Sequence, residues 1–370
     1  MLVRYSYDAK GRRLGRALVY TESGHGIPRQ SVDAGAIRVV EALVGAGYET
    51  YIVGGAVRDL VAGRTPKDFD IVTGAVPSRI RRLFRNSRII GRRFRIVHVS
   101  CGSQLYEVST FRSRVGEGSV CVPGTLEEDA WRRDFSVNAL YYDPLRNVVI
   151  DCVGGMVDLK RRRVRPLIPL RSIFVEDPVR MLRALKCSVM CESSIPFSVR
   201  RSIRRSVSLL GGCSPSRLTD EFVKILFSGR SAALVRALCG YQLLLYLQPS
   251  VHYFMRDVPC FESAFFASLR VLDQAFVSGR VKRVGQALTY VLRDFVGLVF
   301  GHADAPDEVY IRVYRACRSF VLPMNPPRVE LEYAVRSCLG GRGFAARAAC
   351  TPSGRLCARE NGVRCVFSSP

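Results

Sequence analysis

GGAVRDLVAGRTPKDFDIV, residues 54–72, is the stretch on which the reading of this chain turns. Gly54 and Gly55 end the strand-like run YIVGG (51–55), and AVRDLVA then begins a helix. A glycine pair at a strand-to-helix turn lets backbone N–H groups approach a phosphate. Arg58, one turn in, adds a guanidinium fork suited to the same ligand. A dozen residues on, Lys67-Asp68-Phe69-Asp70 opens the run DFDIVT (68–73), which reads as the next strand. Residues i and i+2 of a strand share a face, so Asp68 and Asp70 present two carboxylates together, with Phe69 turned to the core. Like charges that close repel unless a cation sits between them. Hard oxygen donors with open positions suit Mg²⁺ or Mn²⁺, and two such ions clamp an in-line phosphoryl displacement.

A third acid would complete such a site, and the sequence offers two. Glu107 lies in LYEVSTFR (105–112), a strand-like run. Asp134 lies in WRRDFSVNALYYDP (131–144), where Arg132, Arg133, Asp134 and Asn138 alternate with Phe135, Val137, Ala139 and Leu140. A helical turn there would bring Asp134 and Asn138 to one face, a set fit for a ribose and a triphosphate. Further on, Glu176-Asp177-Pro178-Val179-Arg180-Met181-Leu182-Arg183 reads as a capped helix start, with Asp177 as cap and Pro178 first. Arg180 and Arg183 share a face. An aspartate accepts from a base's exocyclic amine and an arginine donates to ring acceptors, so the group is equipped to read a nucleotide's edge without a template.

Around these motifs the chain has 370 residues, 48% hydrophobic and 24% charged. These are globular values that exclude a wholly disordered or fibrous protein. No run of 18 apolar residues occurs and the start lacks a signal peptide's apolar core. The expectation is a cytoplasmic protein without a membrane partner. Lys+Arg number 56 against 32 acids, a net charge of +24, and 50 of the 56 are arginine. Such an excess suits a polyanionic partner. The 13 cysteines form no CxxC pair, which argues for reduced thiols and against a zinc or disulfide scaffold. Four isolated histidines, residues 25, 98, 252 and 302, do not supply the His/Asp constellation of a metal phosphohydrolase.

Before about residue 150 short strand-like runs alternate with helical ones. RFRIVHVSC (93–101), QLYEVSTF (104–111) and NVVIDCV (147–153) read as strands, and PSRIRRLF (77–84) as a helix. SVDAGAIRVVEALVGAG (31–47) reads as a helix capped by Ser31 and stopped by Gly47. After about residue 165 the pattern is helical, with Val179, Leu182, Leu185 and Val189 on one face. Arg200, Arg201, Arg204 and Arg205 form a basic patch suited to an RNA backbone.

GGAVRD, KDFD, RRDFSVNAL and EDPVRMLRA stand in the order and rough spacing of the class II template-independent nucleotidyltransferases, which include CCA-adding tRNA enzymes and bacterial poly(A) polymerases. The chain resembles that family over about residues 25–195. The resemblance implies an α+β protein, with a small mixed-sheet head followed by an all-α neck, body and tail. It implies two-metal transfer of a nucleoside monophosphate from an NTP to an RNA 3′-hydroxyl. Asp68 and Asp70 match the family's metal carboxylates, and Gly55 and Arg58 its triphosphate contacts. Arg133 and Asp134 match the RRD motif, whose aspartate resembles an active-site acid. Asp177, Arg180 and Arg183 match the base-reading helix, and the role of Glu107 stays open.

GRRFRIVHV (91–99) and HGIPRQSVDAGAIRVVEALVGAGYE (25–49) resemble the poly(A) polymerase branch, and VGGMVDLK (153–160) occurs in both branches. The RRP-type sequence common in CCA-adding enzymes is missing between TFR (110–112) and WRRDF (131–135), where only 18 residues lie. The expected protein is therefore a poly(A) polymerase using ATP on the 3′ ends of mRNA or other transcripts; the alternative is a CCA-adding enzyme. The expected divisions are a basic extension (1–29), the head (30–153), a neck (154–217), a body (218–335) and a basic, poorly ordered tail (336–370).

Overall fold

The computed structural model describes residues 2–7, 13–91, 95–102, 104–113, 123–299 and 306–340. Arg92–Phe94 of the GRRF segment, residues 114–122 of the loop before WRRDF, and 341–370 of the expected tail lie outside them.

The head is built on one nine-stranded sheet: β1 (Leu2–Tyr7), β2 (Arg13–Tyr20), β3 (Thr50–Val53), β4 (Asp70–Thr73), β5 (Ser87–Ile90), β6 (Ile96–Cys101), β7 (Gln104–Thr110), β8 (Leu140–Asp143) and β9 (Val148–Asp151). Their order is β1-β2-β9-β8-β3-β4-β7-β6-β5. Every pairing is antiparallel except β4 with β7, so the sheet is mixed. That parallel pair sets Asp70 opposite Glu107. β3 is buried along its whole length, as a strand covered on both faces must be. One face packs under the helices Ala34–Gly45, Gly55–Val61 and Pro77–Leu83 through Ile52, Ile71, Leu60 and Ile80. The other packs Tyr51, Val53 and Val72 against Leu126 and Ala130 of the helix Leu126–Trp131.

Several expectations need correction. The segment 1–29, read as an extension, carries β1 and β2, and β2 pairs with β9. The alternation in RYSY and RALVY is short and polar, so its strand signal is weak on its own. The helix expected over 31–47 begins at Ala34, and its cap is Asp33, whose carboxylate accepts from the Ala36 N–H at 2.9 Å. Ser31 instead donates to the Pro28 carbonyl at 2.7 Å within a 3-10 turn. Gly47 does end that helix: at φ +86° it lets the Tyr48 N–H turn back to the Leu43 carbonyl, a stop that glycine makes without strain. Asp68 precedes β4 rather than lying in it.

From Gly155 onward the regular structure of the described residues is helical. The helices Arg180–Met190, Phe197–Ser206, Pro215–Leu226, Ser231–Gly240, Phe261–Val277, Val284–Val299 and Arg328–Gly340 follow one another. Their apolar faces share one core running from Val164 to Leu339, which also takes in Phe135 and Val137 from the head. The expected neck and body therefore pack as one body, because a helix with one apolar stripe is stable only against a neighbour. Among the described residues no helix is long and apolar enough to cross a membrane.

Candidate active site

Gly54 sits where β3 hands over to the helix Gly55–Val61, with φ 75° and ψ −131°. That region is open only to glycine at low cost. Its N–H donates to the Leu140 carbonyl at 3.3 Å, which pins the turn to β8. A Cβ on Gly54 would lie 3.5 Å from Arg133 Nη1 and 3.9 Å from Asp70 Oδ2, so this turn, a guanidinium and a carboxylate meet at one point. Replacing Gly54 with alanine meets no hard contact at those distances, and the cost is backbone strain, about 1–3 kcal/mol. We expect Gly54→Ala to lower the urea midpoint accordingly; an unchanged midpoint would contradict the assigned backbone geometry.

Asp70 opens to solvent on one side and is crowded by protein on the others. Burial first, and then the Glu107 carboxylate, push its pKa up to about 6; Asp68 adds to the rise, and Arg133 and Lys224 oppose it. Glu107 in turn has His98 Nε2 3.4 Å from its Oε1, across the β6–β7 ladder. Asp68 and Glu107 are thus the two carboxylates whose charge reaches Asp70, Glu107 the more strongly.

Arg133 is the fixed cation of this site. Nε and Nη2 donate to Asp129 Oδ2 at 3.1 and 2.9 Å, and Nε also reaches the Tyr141 hydroxyl at 3.1 Å. The Tyr141 hydroxyl donates to the same Asp129 oxygen at 2.7 Å. Burial works against charge on Arg133, but Tyr141 and Asp129 outweigh it and raise its pKa. Its Nη1 makes only a 3.4 Å bond to the Asn138 carbonyl, leaving that end toward Gly54 and Asp70.

Asp134 requires a correction. Its Oδ1 accepts from the Phe135 N–H at 2.8 Å and from Asn138 Nδ2 at 3.1 Å, while Oδ2 lies 3.8 Å from Arg183 Nη1. The reason lies in its neighbours: Phe135 and Val137 insert into the helical core, which turns Asp134 and Asn138 toward the neck. Asp134 and Asn138 meet as expected, but through a 3-10 turn, Ser136–Asn138, rather than an α-helix. That turn is locked from below. Ser136 Oγ donates to Asp158 Oδ2 at 2.7 Å, and Arg165 holds the same oxygen at 2.6 Å. VGGMVDLK thereby supplies a strut for RRDFSVN.

Arg58 also departs from expectation. It is 8% exposed, with Nε and Nη2 on Asp59 at 3.0 and 3.1 Å and Nη1 on Asn138 Oδ1 at 2.9 Å. Asn138 Nδ2 continues to Cys187 Sγ at 3.3 Å. Arg58, Asn138 and Asp134 therefore tie the head to the helix Arg180–Met190. Gly55 lies beside this tie, since a Cβ there would sit 3.6 Å from Arg58 Nη2.

In the expected base-reading group, Asp177 accepts from Arg217 Nη2 at 2.9 Å on both oxygens. Arg180 Nη1 turns back to the Ile173 carbonyl and Glu176, at 3.1 and 3.0 Å. Arg183 stands between Asp134 and Glu221, with Nε 3.4 Å from Glu221 Oε1. Arg217, Glu221 and Lys224 come from the helix Pro215–Leu226, where no motif flags them. They are charges on an amphipathic helix like any other, and the departure that the structure shows is burial, Glu221 being 6% exposed.

Residues 50–165 match the family described as the poly A polymerase head domain, and residues 194–255 the one described as a probable RNA and SrmB-binding site of polymerase A. Poly(A) polymerase I of Escherichia coli O157:H7 is 40% identical over 251 residues, covering 63% of this chain and 54% of that protein. The Haemophilus influenzae poly(A) polymerase I is 39% identical over 238 residues, 60% of this chain and 53% of that one. The CCA-adding enzyme of Lactobacillus helveticus is 36% identical over 196 residues, 51% of this chain and 49% of that one. The chain spans about half the length of the curated relatives it matches. Among solved structures, the Bacillus stearothermophilus CCA-adding enzyme in complex with CTP aligns with a TM-score of 0.57 at 24% identity, over 83% of this chain and 82% of that one. A CCA-adding enzyme in complex with ATP aligns at 0.53 and 20% identity, over 88% and 86%; these two likenesses show the fold. Over residues 50–165 and 194–255, the matched head and the matched second segment, the chain is thus similar to the nucleotidyltransferases that include the poly(A) polymerases and CCA-adding enzymes.

Proposed function

We propose that this chain is a poly(A) polymerase, transferring AMP from ATP to RNA 3′-hydroxyl ends and releasing pyrophosphate. The observation that carries this reading is the 40% identity to poly(A) polymerase I over 251 residues, against 36% over 196 residues for the CCA-adding enzyme. In the same reading the protein works in the cytoplasm on mRNA or other transcripts, with a head on the sheet, a neck carrying Arg180–Met190, a helical body and a basic tail.

The donor chemistry of the site fits a divalent cation, Mg²⁺ or Mn²⁺. Asp68, Asp70 and Glu107 are hard oxygen donors, and a cation would offset both the burial and the neighbouring carboxylate charge that hold the Asp70 pKa up. Among the described residues no group of three or more His, Cys, Asp and Glu is placed to hold a metal ion, so the protein's share of the ligands would be the two aspartates. Mg²⁺ is commonly held by one or two carboxylates with waters and substrate phosphates as its remaining ligands. Asp68 and Asp70 would hold the ion, which when bound would neutralise phosphate charge and acidify the attacking hydroxyl.

The protein's own groups supply the remainder. Gly54, and Gly55 behind it, let backbone approach the triphosphate, and the Nη1 end of Arg133, which makes only a long bond to the Asn138 carbonyl, stabilises its charge, held in place by Asp129 and Tyr141. Asp177 with Arg180 and Arg183 read the base, which requires Asp177 to exchange Arg217 and Arg180 to leave Glu176. Arg58, Asn138 and Asp134 keep head and neck in register while this occurs. The experiment is incubation of an end-labelled RNA primer with each NTP in turn: strong extension by ATP and weak extension by CTP supports the reading. The CCA-adding alternative, favoured by the Lactobacillus match, calls for ready use of CTP.

A further inference from the structure

Away from the head, the helical body holds a groove of about 580 Å³ where the helices Ser231–Gly240, Pro249–Asp257 and Phe261–Val277 meet. Arg236, Arg256 and Arg270 line it, with Phe266 and the acids Asp257 and Glu262. The Arg236 guanidinium carbon lies 4.3 Å from the Phe266 ring centroid, and Phe266 is 3% exposed. The ring therefore serves as a backing plate, and the outer face of Arg236 is left for another planar group. Arg256 is paired with Asp257 at 2.6 Å and lies 5.1 Å from the ring of Tyr253. Arg236 and Arg270 make no hydrogen bond or ion pair among the described residues.

On another side of the same helix, Ala237 lines a smaller groove of about 280 Å³ with Arg200 and Tyr241. There Arg204 lies 5.8 Å from the Tyr241 ring and Arg200 5.9 Å from Phe197, which is 69% exposed. Four arginine-on-ring pairs thus fall between residues 197 and 266, where a typical protein has about one per 70–80 residues. Backed guanidinium planes and open tyrosines stack on any base, and the spare arginine charge takes phosphates.

We propose that the groove around Arg236 and Arg270 binds a single-stranded RNA segment upstream of the 3′ end. A base stacks on the outer face of Arg236, and Arg270 meets a phosphate. The matched segment ends at residue 255, so this extends the RNA track beyond it, to Arg256, Phe266 and Arg270. The inference rests on the RNA-end reading above.

The test is fluorescence anisotropy of the full chain with labelled oligoadenylates of about 5 and about 20 nucleotides, short of and beyond the span of an extended track. The long oligonucleotide should bind the parent more tightly. Arg236→Gln with Arg270→Gln should weaken it about tenfold at moderate salt and flatten its salt slope by about 0.7, for the one phosphate that Arg270 meets. The short oligonucleotide and ATP should bind as before. Arg236→Lys should keep the slope and lose affinity, since it retains charge without the plane. Unchanged long-RNA affinity and slope in the double variant overturns the groove, as it would if a protein occupied it, and so does a parent that binds both lengths alike. A parent that binds neither RNA overturns the RNA-end reading itself.

Discussion

Asp70→Ala is expected to abolish nucleotide transfer while the chain stays folded. Asp70 is the carboxylate nearest the Gly54 turn, opposite Glu107 and within the field of Arg133. If it holds the ion that neutralises the triphosphate, its loss costs about 4 kcal/mol or more in the barrier, roughly a thousandfold in rate. Single-turnover extension of a labelled primer checks this, and a rate within tenfold of the parent would contradict the assignment. A second readout does not depend on catalysis. The folded pKa of about 6 lies above the ordinary 3.8, so the folded chain holds this proton more tightly than the unfolded one. The associated stability is present at acid pH and is lost as pH rises from about 4 through 6. Asp70→Asn, neutral throughout, should therefore melt above the parent at about pH 7.5 in the absence of divalent metal, with the gap closing toward pH 4. Added Mg²⁺ should raise the parent's Tm and leave the Asn variant nearly unmoved.

Arg133→Met is expected to be the most destabilising change in the head. It leaves Asp129, 4% exposed, without its cation, and breaking one partner of a buried pair costs about 3–5 kcal/mol. The Tyr141 hydroxyl and the Arg112 N–H continue to donate to Asp129, which keeps the loss at the lower end. Arg133→Lys preserves the charge but not the fork that reaches Asp129 and Tyr141 together, so it should fall between the two. Urea unfolding measures all three chains. A loss under about 1 kcal/mol for the Met variant would mean that water already reaches Asp129.

The parts of this architecture that are local in the chain are legible in the sequence. The glycine turn at 54–55, the stop at Gly47 and the amphipathic run through Leu182 and Leu185 each follow from a few adjacent residues. What escapes is decided by partners far along the chain. Glu107 becomes the acid beside Asp70 only through the parallel β4–β7 pairing. Asp134 turns away because Phe135 and Val137 are drawn into a core built mostly from residues after 160. Arg58 looks like a phosphate ligand until Asn138, 80 residues on, claims its Nη1. Asp177 meets Arg217 across 40 residues. β8 hides behind the dense polar set of RRDFSVN, whose helical reading gives way to a 3-10 turn and a strand.

The most direct test of the account is the length of product made on two RNAs. An unstructured primer with ATP alone is compared on one gel with a tRNA lacking its CCA end, supplied with ATP and CTP. The account predicts a long ladder of adenylates on the unstructured primer. A discrete three-nucleotide product, formed only on the tRNA and only with both nucleotides, would contradict it and assign the chain to the CCA-adding branch.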